Sequence, residues 1–318
     1  MVDGLALRIV YFGTPAFAVP TLRALLASHH TVCGVVTQPD RPRGRGQKVT
    51  DAPVKALAVE HGLPVYQPAS LKGAEAHDTI AAWAPDLGVV AAYGRIIPEA
   101  MLTIPRLGMI NVHPSLLPKY RGAAPVHRAV IDGEMQTGVT IMKVVPLLDA
   151  GPMIARTRRL IGPDETSDVV ERDLAELGAT LLMQVADAMV EGPLDIEPQD
   201  DMLATYAPRL TKDEGLVDWS LPAVYLHNRV RGLYPWPHAY SYLNRSRLIL
   251  LRSAIVEPTS QAAPGTVVEV TRDAIVVAAG FGSALAIEQL QLEGKRPLAV
   301  REFLAGHAIA PGAVLTGP

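Results

Sequence analysis

The residues with the clearest chemical potential begin at Asn111-Val112-His113. They end an apolar run, Met109 to Val112, that reads as a buried strand. Side chains alternate along a strand, so Asn111 and His113 share one face at its carboxyl end. An Asn amide can donate to an oxygen that gains negative charge during a reaction. A His can polarise a bond or move a proton near neutral pH. Taken alone, the two also fit a hydrogen-bonded structural pair. Asp149, in Leu148-Asp149-Ala150-Gly151-Pro152, is a further candidate whose plainer role is a turn residue before glycine. Gly13-Thr14-Pro15 follows the first strand, where open α/β sheets carry ligand loops. It lacks the GxGxxG spacing, and no acidic residue follows the second strand in the ribose-binding place, which argues against a dinucleotide site.

A second kind of chemistry lies in Gln38-Pro39-Asp40-Arg41-Pro42-Arg43-Gly44-Arg45-Gly46-Gln47-Lys48. Arg41, Arg43, Arg45 and Lys48 fall within eight residues, and the interleaved Gly and Pro prevent regular structure. Such a loop can track phosphates, or it can be a solvated basic loop and nothing more. Net charge is -3, so a nucleic-acid partner cannot rest on global charge. Up to Pro208 there are 18 basic and 23 acidic residues, and after it 11 and 9, so the mildly basic part is the later one. The single cysteine, Cys33, lies in an apolar run; it excludes an intrachain disulfide or a thiolate metal cluster and reads as a small buried hydrophobe. No apolar stretch reaches the ~18 residues of a membrane helix. The N-terminus runs straight into a strand, so a reduced, cytoplasmic setting is expected.

The elements that must position these residues alternate through the first two thirds of the chain. Arg8 to Phe12, His30 to Thr37, Leu87 to Tyr93 and Met109 to Val112 read as strands, with a short one at Val65-Tyr66. Phe17 to Ala27, Val54 to His61 and Ser167 to Val190 read as helices, with Pro20 in a first turn. Continuous apolar strands separated by helices indicate a parallel sheet covered on both faces. Glu191 to Pro208 is rich in Pro, Asp and Gly and reads as a linker. After a helix at Val224 to Gly232, short strand-like runs recur about every ten residues, the pattern of a small β-barrel or sandwich. The expected fold is a Rossmann-like doubly wound, mostly parallel sheet followed by a small OB-like barrel. The expected divisions are 1–190, a linker at 191–208, and 209–318.

The run Asn111-Val112-His113-Pro114-Ser115-Leu116-Leu117-Pro118 leads on to Arg121-Gly122-Ala123-Ala124-Pro125. On these residues the chain resembles the folate-dependent formyltransferases, marked by a strand ending N-x-H, then SLLP and RG-A-x-P. Leu148 to Pro152 is a second element of that family. The resemblance implies that Asn111, His113 and Asp149 form the catalytic trio and that Ser115, Leu116, Leu117 and Pro118 line the folate site. It implies 10-formyltetrahydrofolate as formyl donor, with no metal. An amine would attack the formyl carbon, and Asn111 and His113 would donate to the resulting oxyanion. Asp149 would favour protonated His113 or hold a water that removes the amine proton. The basic loop resembles that of members acting on methionyl initiator tRNA, with Arg45 on the key arginine. Arg43 stands where a small residue is expected. Asp218-Trp219-Ser220 and Pro235-Trp236-Pro237 extend the resemblance over essentially the whole chain, and Leu147 departs from it where glycine is common. The implied partners are methionyl initiator tRNA and the folate co-substrate, with a monomer and no membrane expected. A formyltransferase acting on another amine, such as a sugar nucleotide, or a tRNA-binding module with an inactive fold, stays open at this point.

Overall fold

A computed structural model describes residues 6–40, 42–43, 48–258 and 261–317. The chain divides into two compact units. One comprises Met1–Pro125, Gln136–Arg159 and Glu171–Ala207; the other comprises Val126–Met135, Leu160–Val170 and Pro208–Pro318.

The first unit is organised by a seven-stranded sheet. Its strands are β1 (Arg8–Gly13), β2 (Thr31–Val36), β3 (Val65–Tyr66), β4 (Leu87–Ala91), β5 (Met109–His113), β6 (Gln136–Lys143) and β7 (Met153–Leu160). They lie in the order β7-β6-β5-β4-β1-β2-β3. β1 to β5 pair in parallel, and β6 pairs antiparallel to β5. The apolar runs forecast the parallel strands, because each is buried on both faces. β6 and β7 escape that search. β7 carries Arg156, Arg158 and Arg159 and exposes alternate residues as an edge strand does.

From β1 the chain first goes to β2 on one side and later to β4 on the other, so the order reverses beside β1. A doubly wound sheet opens its ligand crevice outside the strand carboxyl ends at such a point. Here those ends are tied together. The Tyr93 carbonyl accepts from Gln38 Nε2 at 2.7 Å and from Thr14 Oγ1 at 3.4 Å. Beneath them Phe12, Val36, Ile80, Tyr93, Met101 and Met109 form a core in which Phe12 meets Tyr93 edge-on at 5.5 Å. Burying each large apolar side chain stabilises the fold by about 1.5–3 kcal/mol. Cys33 belongs to this core: its thiol lies 3.3 Å from the Ile9 carbonyl, and burial pushes its pKa up.

The second unit holds an antiparallel sheet: β8 (Ala239–Leu243), β9 (Ser246–Val256), β10 (Val267–Val270), β11 (Ile275–Ala279), β12 (Ser283–Leu292) and β13 (Leu298–Ala299). Its order is β8-β9-β12-β11-β10, with β13 beside β12. Residues 312–316 close it. Thr316 exchanges main-chain bonds of 3.0 and 2.9 Å with Tyr242 on edge strand β8. Val267 on the other edge donates to Ala313 O and accepts from Gly312 N, both at 2.8 Å. Both open edges thereby find partners, which turns the sheet into a barrel. Trp219, from the Asp-Trp-Ser segment, locks the seam: its Nε1 donates to Ser241 Oγ, which donates to Thr316 O. The helix Ala223–Gly232 packs on β9 and β12. Among the described residues no helix is long and apolar enough to cross a membrane.

Candidate active site

β5 presents Asn111 and His113 on one face, opposite Met142 and Thr140 of β6, while Val112 between them turns into the core. Asp149 reaches both. Its Oδ1 lies 3.5 Å from Asn111 Nδ2 and its Oδ2 lies 3.8 Å from His113 Nδ1. His113 is buried, with Nε2 3.0 Å from the Tyr120 carbonyl. A carbonyl only accepts, so Nε2 keeps a proton in the neutral ring. Nδ1, facing Asp149, is then the ring nitrogen without a hydrogen in that tautomer.

Asp149 has φ +46°, in the left-handed region that is uncommon for a residue with a Cβ. Two hydrogen bonds to Asp149 and one to Gly151 hold the turn. Gly122 N–H donates to Oδ2 at 2.9 Å. Gln199 Nε2 donates to the carbonyls of Asp149 and Gly151, each at 2.8 Å. Gly122 has φ +121°, and a Cβ there would sit 2.8 Å from Ala207 O. Gly151 is as constrained, because its Cβ would lie 1.8 Å from Lys143 O. Leu147, the departure before Asp149, is 72% exposed, so its side chain leaves the turn undisturbed.

The stretch after His113 is held by its own hydrogen bonds and packing. The Ser115 hydroxyl is fully buried and donates to Lys119 O at 2.7 Å. Thr140 Oγ1 donates to Ser115 O and accepts from Leu117 N. Leu117 packs with Met142 and Met153. Leu116 and Pro118 keep partial exposure.

Of the basic loop, Arg41 and Arg45 lie outside the described residues. Pro42–Arg43 pairs antiparallel with Lys48–Val49, and Arg43 stands opposite Lys48 on this hairpin. The base of the hairpin is tied down. Asp40 is hydrogen-bonded to Lys55, Lys55 Nζ lies 2.7 Å from Asp51 Oδ1, and Gln67 Nε2 donates to Asp40 at 3.0 Å. The Lys55 ammonium holds the Asp40 carboxyl below the usual carboxylate range.

Elsewhere in this unit, His29, His30 and Asp187 bring three potential ligand atoms within 4.8 Å of one another. His30 Nδ1 accepts from Leu7 N–H at 3.2 Å, so its Nε2 must keep a proton and offers no lone pair to a metal. Sequence reasoning passed over Gln199, Gln38 and Tyr93. Gln199 sits between Pro198 and two Asp in a stretch without periodicity, and only a tertiary contact gives it a role.

Residues 7–186 match the family model described as formyl transferase, and residues 209–308 match the formyl transferase C-terminal domain. The chain is 47% identical to the methionyl-tRNA formyltransferase of Methylococcus capsulatus, covering 96% of this chain and 98% of that one. It is 48% identical to the methionyl-tRNA formyltransferase of Geobacter sulfurreducens, covering 96% of each. Among solved structures, WlaRD, a sugar 3N-formyl transferase crystallised with dTDP and 5-N-formyl-THF, shares the fold with a TM-score of 0.66. That match is at 16% identity and covers 92% of this chain and 100% of the other. With both domain matches in chain order and near-half identity over almost its full length, the chain belongs to the formyl transferase family.

Proposed function

We propose that this protein transfers the formyl group of 10-formyltetrahydrofolate to the free amino group of methionine carried by initiator tRNA. The observation that carries the reading is the convergence of Asn111, His113 and Asp149 at the carboxyl end of β5, in a chain nearly half identical to proteins named for this reaction. The donor set suits the co-substrate. A formyl group needs a hydrogen-bond donor at its oxygen and a base near the attacking nitrogen, and Asn111 Nδ2 and His113 Nδ1 are such groups, side by side. When bound, the folate supplies the activated formyl group.

The remaining chemistry falls to side chains. Asn111 donates to the formyl oxygen as negative charge develops there. Its 3.5 Å contact with Asp149 is long, so reorientation toward a better acceptor sacrifices little. His113 Nδ1 accepts the proton of the attacking amine, because the Tyr120 carbonyl holds Nε2–H away from that work. Asp149 stabilises the resulting imidazolium through Oδ2 and keeps its own orientation through Gly122 N–H. His113 can then return the proton to the departing folate nitrogen.

The chain-specific part of the proposal is the acceptor. Arg41, Arg43, Arg45 and Lys48 supply the charge for an acceptor stem, and Gly44 and Gly46 let a backbone pass close to nucleic acid. Formyl transfer to charged initiator and elongator methionine tRNAs, measured side by side at one salt concentration, tests it. Comparable formylation of both tRNAs, or formylation of a free sugar-nucleotide amine in preference to either, would refute it.

A further inference from the structure

The segment leading from the long helix Ser167–Glu191 to residue 208 is wired into the reacting centre. Tyr206–Ala207 pairs in parallel with Arg121–Gly122, and Thr205 Oγ1 accepts from Tyr120 N at 2.9 Å. We infer that Gln199, in this segment, is a positioning residue that sets the conformation of Asp149, with Arg121 orienting its carboxamide. The inference rests on the catalytic reading of Asp149 given above.

The hydrogen-bond chemistry allows one orientation of the amide. Gln199 Oε1 faces Arg121 Nε at 2.9 Å, and a guanidinium only donates. Nε2 then turns its two hydrogens toward two acceptors, the carbonyls of Asp149 and Gly151. A flipped amide would oppose donor to donor and oxygen to oxygen at all three contacts. The two carbonyls flank Ala150, so one carboxamide clasps the turn in which Asp149 holds its positive φ. Arg121 is itself fixed: it is 3% exposed, and its Nη2 donates to Asp201 Oδ1 at 2.8 Å. The neighbouring Gly122 N–H holds the Asp149 carboxylate. Main chain and side chain of Asp149 are thus referred to the same two residues, 121 and 122. Displacing a reacting group by about 1 Å costs up to ~10²-fold in rate, so a residue that holds this turn acts on turnover without touching substrate.

The experiment measures kcat and both KM values for the full chain carrying Gln199→Ala, Gln199→Glu, Asp149→Asn, and Asp149→Asn combined with Gln199→Ala. Gln199→Glu keeps the bond to Arg121 but sets a carboxylate oxygen against two carbonyls. Its kcat should fall about 10–100-fold, and that of Gln199→Ala about 10-fold, with each KM within about twofold of the parent. In the Asp149→Asn background, Gln199→Ala should cost less than about twofold more, because its effect runs through Asp149. Parental kcat in both Gln199 variants while Asp149→Asn is impaired overturns the inference, and so do losses that multiply in the double variant. Parental kcat in Asp149→Asn overturns the catalytic reading of Asp149 and the inference with it, and is seen separately. Thermal melts accompany each variant; if Gln199→Ala does not fold, the near-isosteric Gln199→Glu carries the test.

Discussion

Asp149 holds a positive φ in a turn tied down by three hydrogen bonds, two to Asp149 and one to Gly151, whereas the hairpin of Pro42–Arg43 and Lys48–Val49 is secured at its base, through Asp40 and Lys55. Under the proposed function the two regions answer different physical demands. Bond-making needs its groups held to a fraction of an ångström, which buried partners and a constrained backbone supply. Phosphate recognition works through charge over several ångströms, so it asks for basic residues on a backbone of the right reach and little else. A region of the first kind should fail sharply when one atom moves. One of the second kind should weaken in proportion to charge, unless a side chain reads a base.

The largest effect is expected at the proposed reacting centre. Asp149→Asn and His113→Ala should each lower kcat by roughly 10²-fold or more, with folate affinity changing less. Steady-state kinetics with equilibrium folate binding separates the two, and near-parental kcat in either variant would remove that residue from the mechanism. Next comes Gly122→Ala. An alanine at φ +121° is strained by about 1–3 kcal/mol and would push against Ala207 O, moving the N–H that holds Asp149. A drop in kcat of about tenfold or more is expected, and an unaltered rate in a folded variant would mean the N–H contact is dispensable.

The comparison sharpens within the basic loop. Arg45→Ala should cut the preference for initiator over elongator tRNA by about 1–3 kcal/mol if the side chain makes a base-reading contact. Arg43→Ala and Lys48→Ala should weaken binding of both tRNAs alike and reduce the salt slope by about 1 each. The ratio of formylation efficiencies at fixed salt decides: an Arg45→Ala ratio equal to the parent's makes the whole loop a phosphate anchor. The smallest effect is at the hairpin's base. The Asp40 pKa is depressed by its bond to Lys55, so the contact stabilises the fold above the ordinary Asp value of about 4 and is lost as pH falls below it. Urea midpoints of the parent and of Asp40→Asn should differ at pH 7 and converge as pH falls through the lowered folded-state pKa of Asp40; a constant difference would show that the carboxylate's charge is not what stabilises the hairpin's base.

The sequence by itself determined what local pattern encodes. Four buried parallel strands and Val65-Tyr66 follow from apolar runs, and the shared face of Asn111 and His113 follows from strand alternation. The place of Pro20 in a first turn follows from its missing N–H. Each of these properties spans a few residues, and burial or steric exclusion enforces it wherever the segment lies. Only the tertiary structure decided the rest. The positive φ of Asp149 depends on Gly122 and Gln199, 27 and 50 residues away. β7 hides its strand character behind outward arginines, and the barrel closes through residues 312–316, which carry no strand signal of their own. The burial of the Ser115 and Leu117 side chains rests on Lys119 O and on the Met142–Met153 pair. Contacts between distant segments leave no period in the chain, so residues such as Gln199 acquire meaning only when the fold supplies their partners.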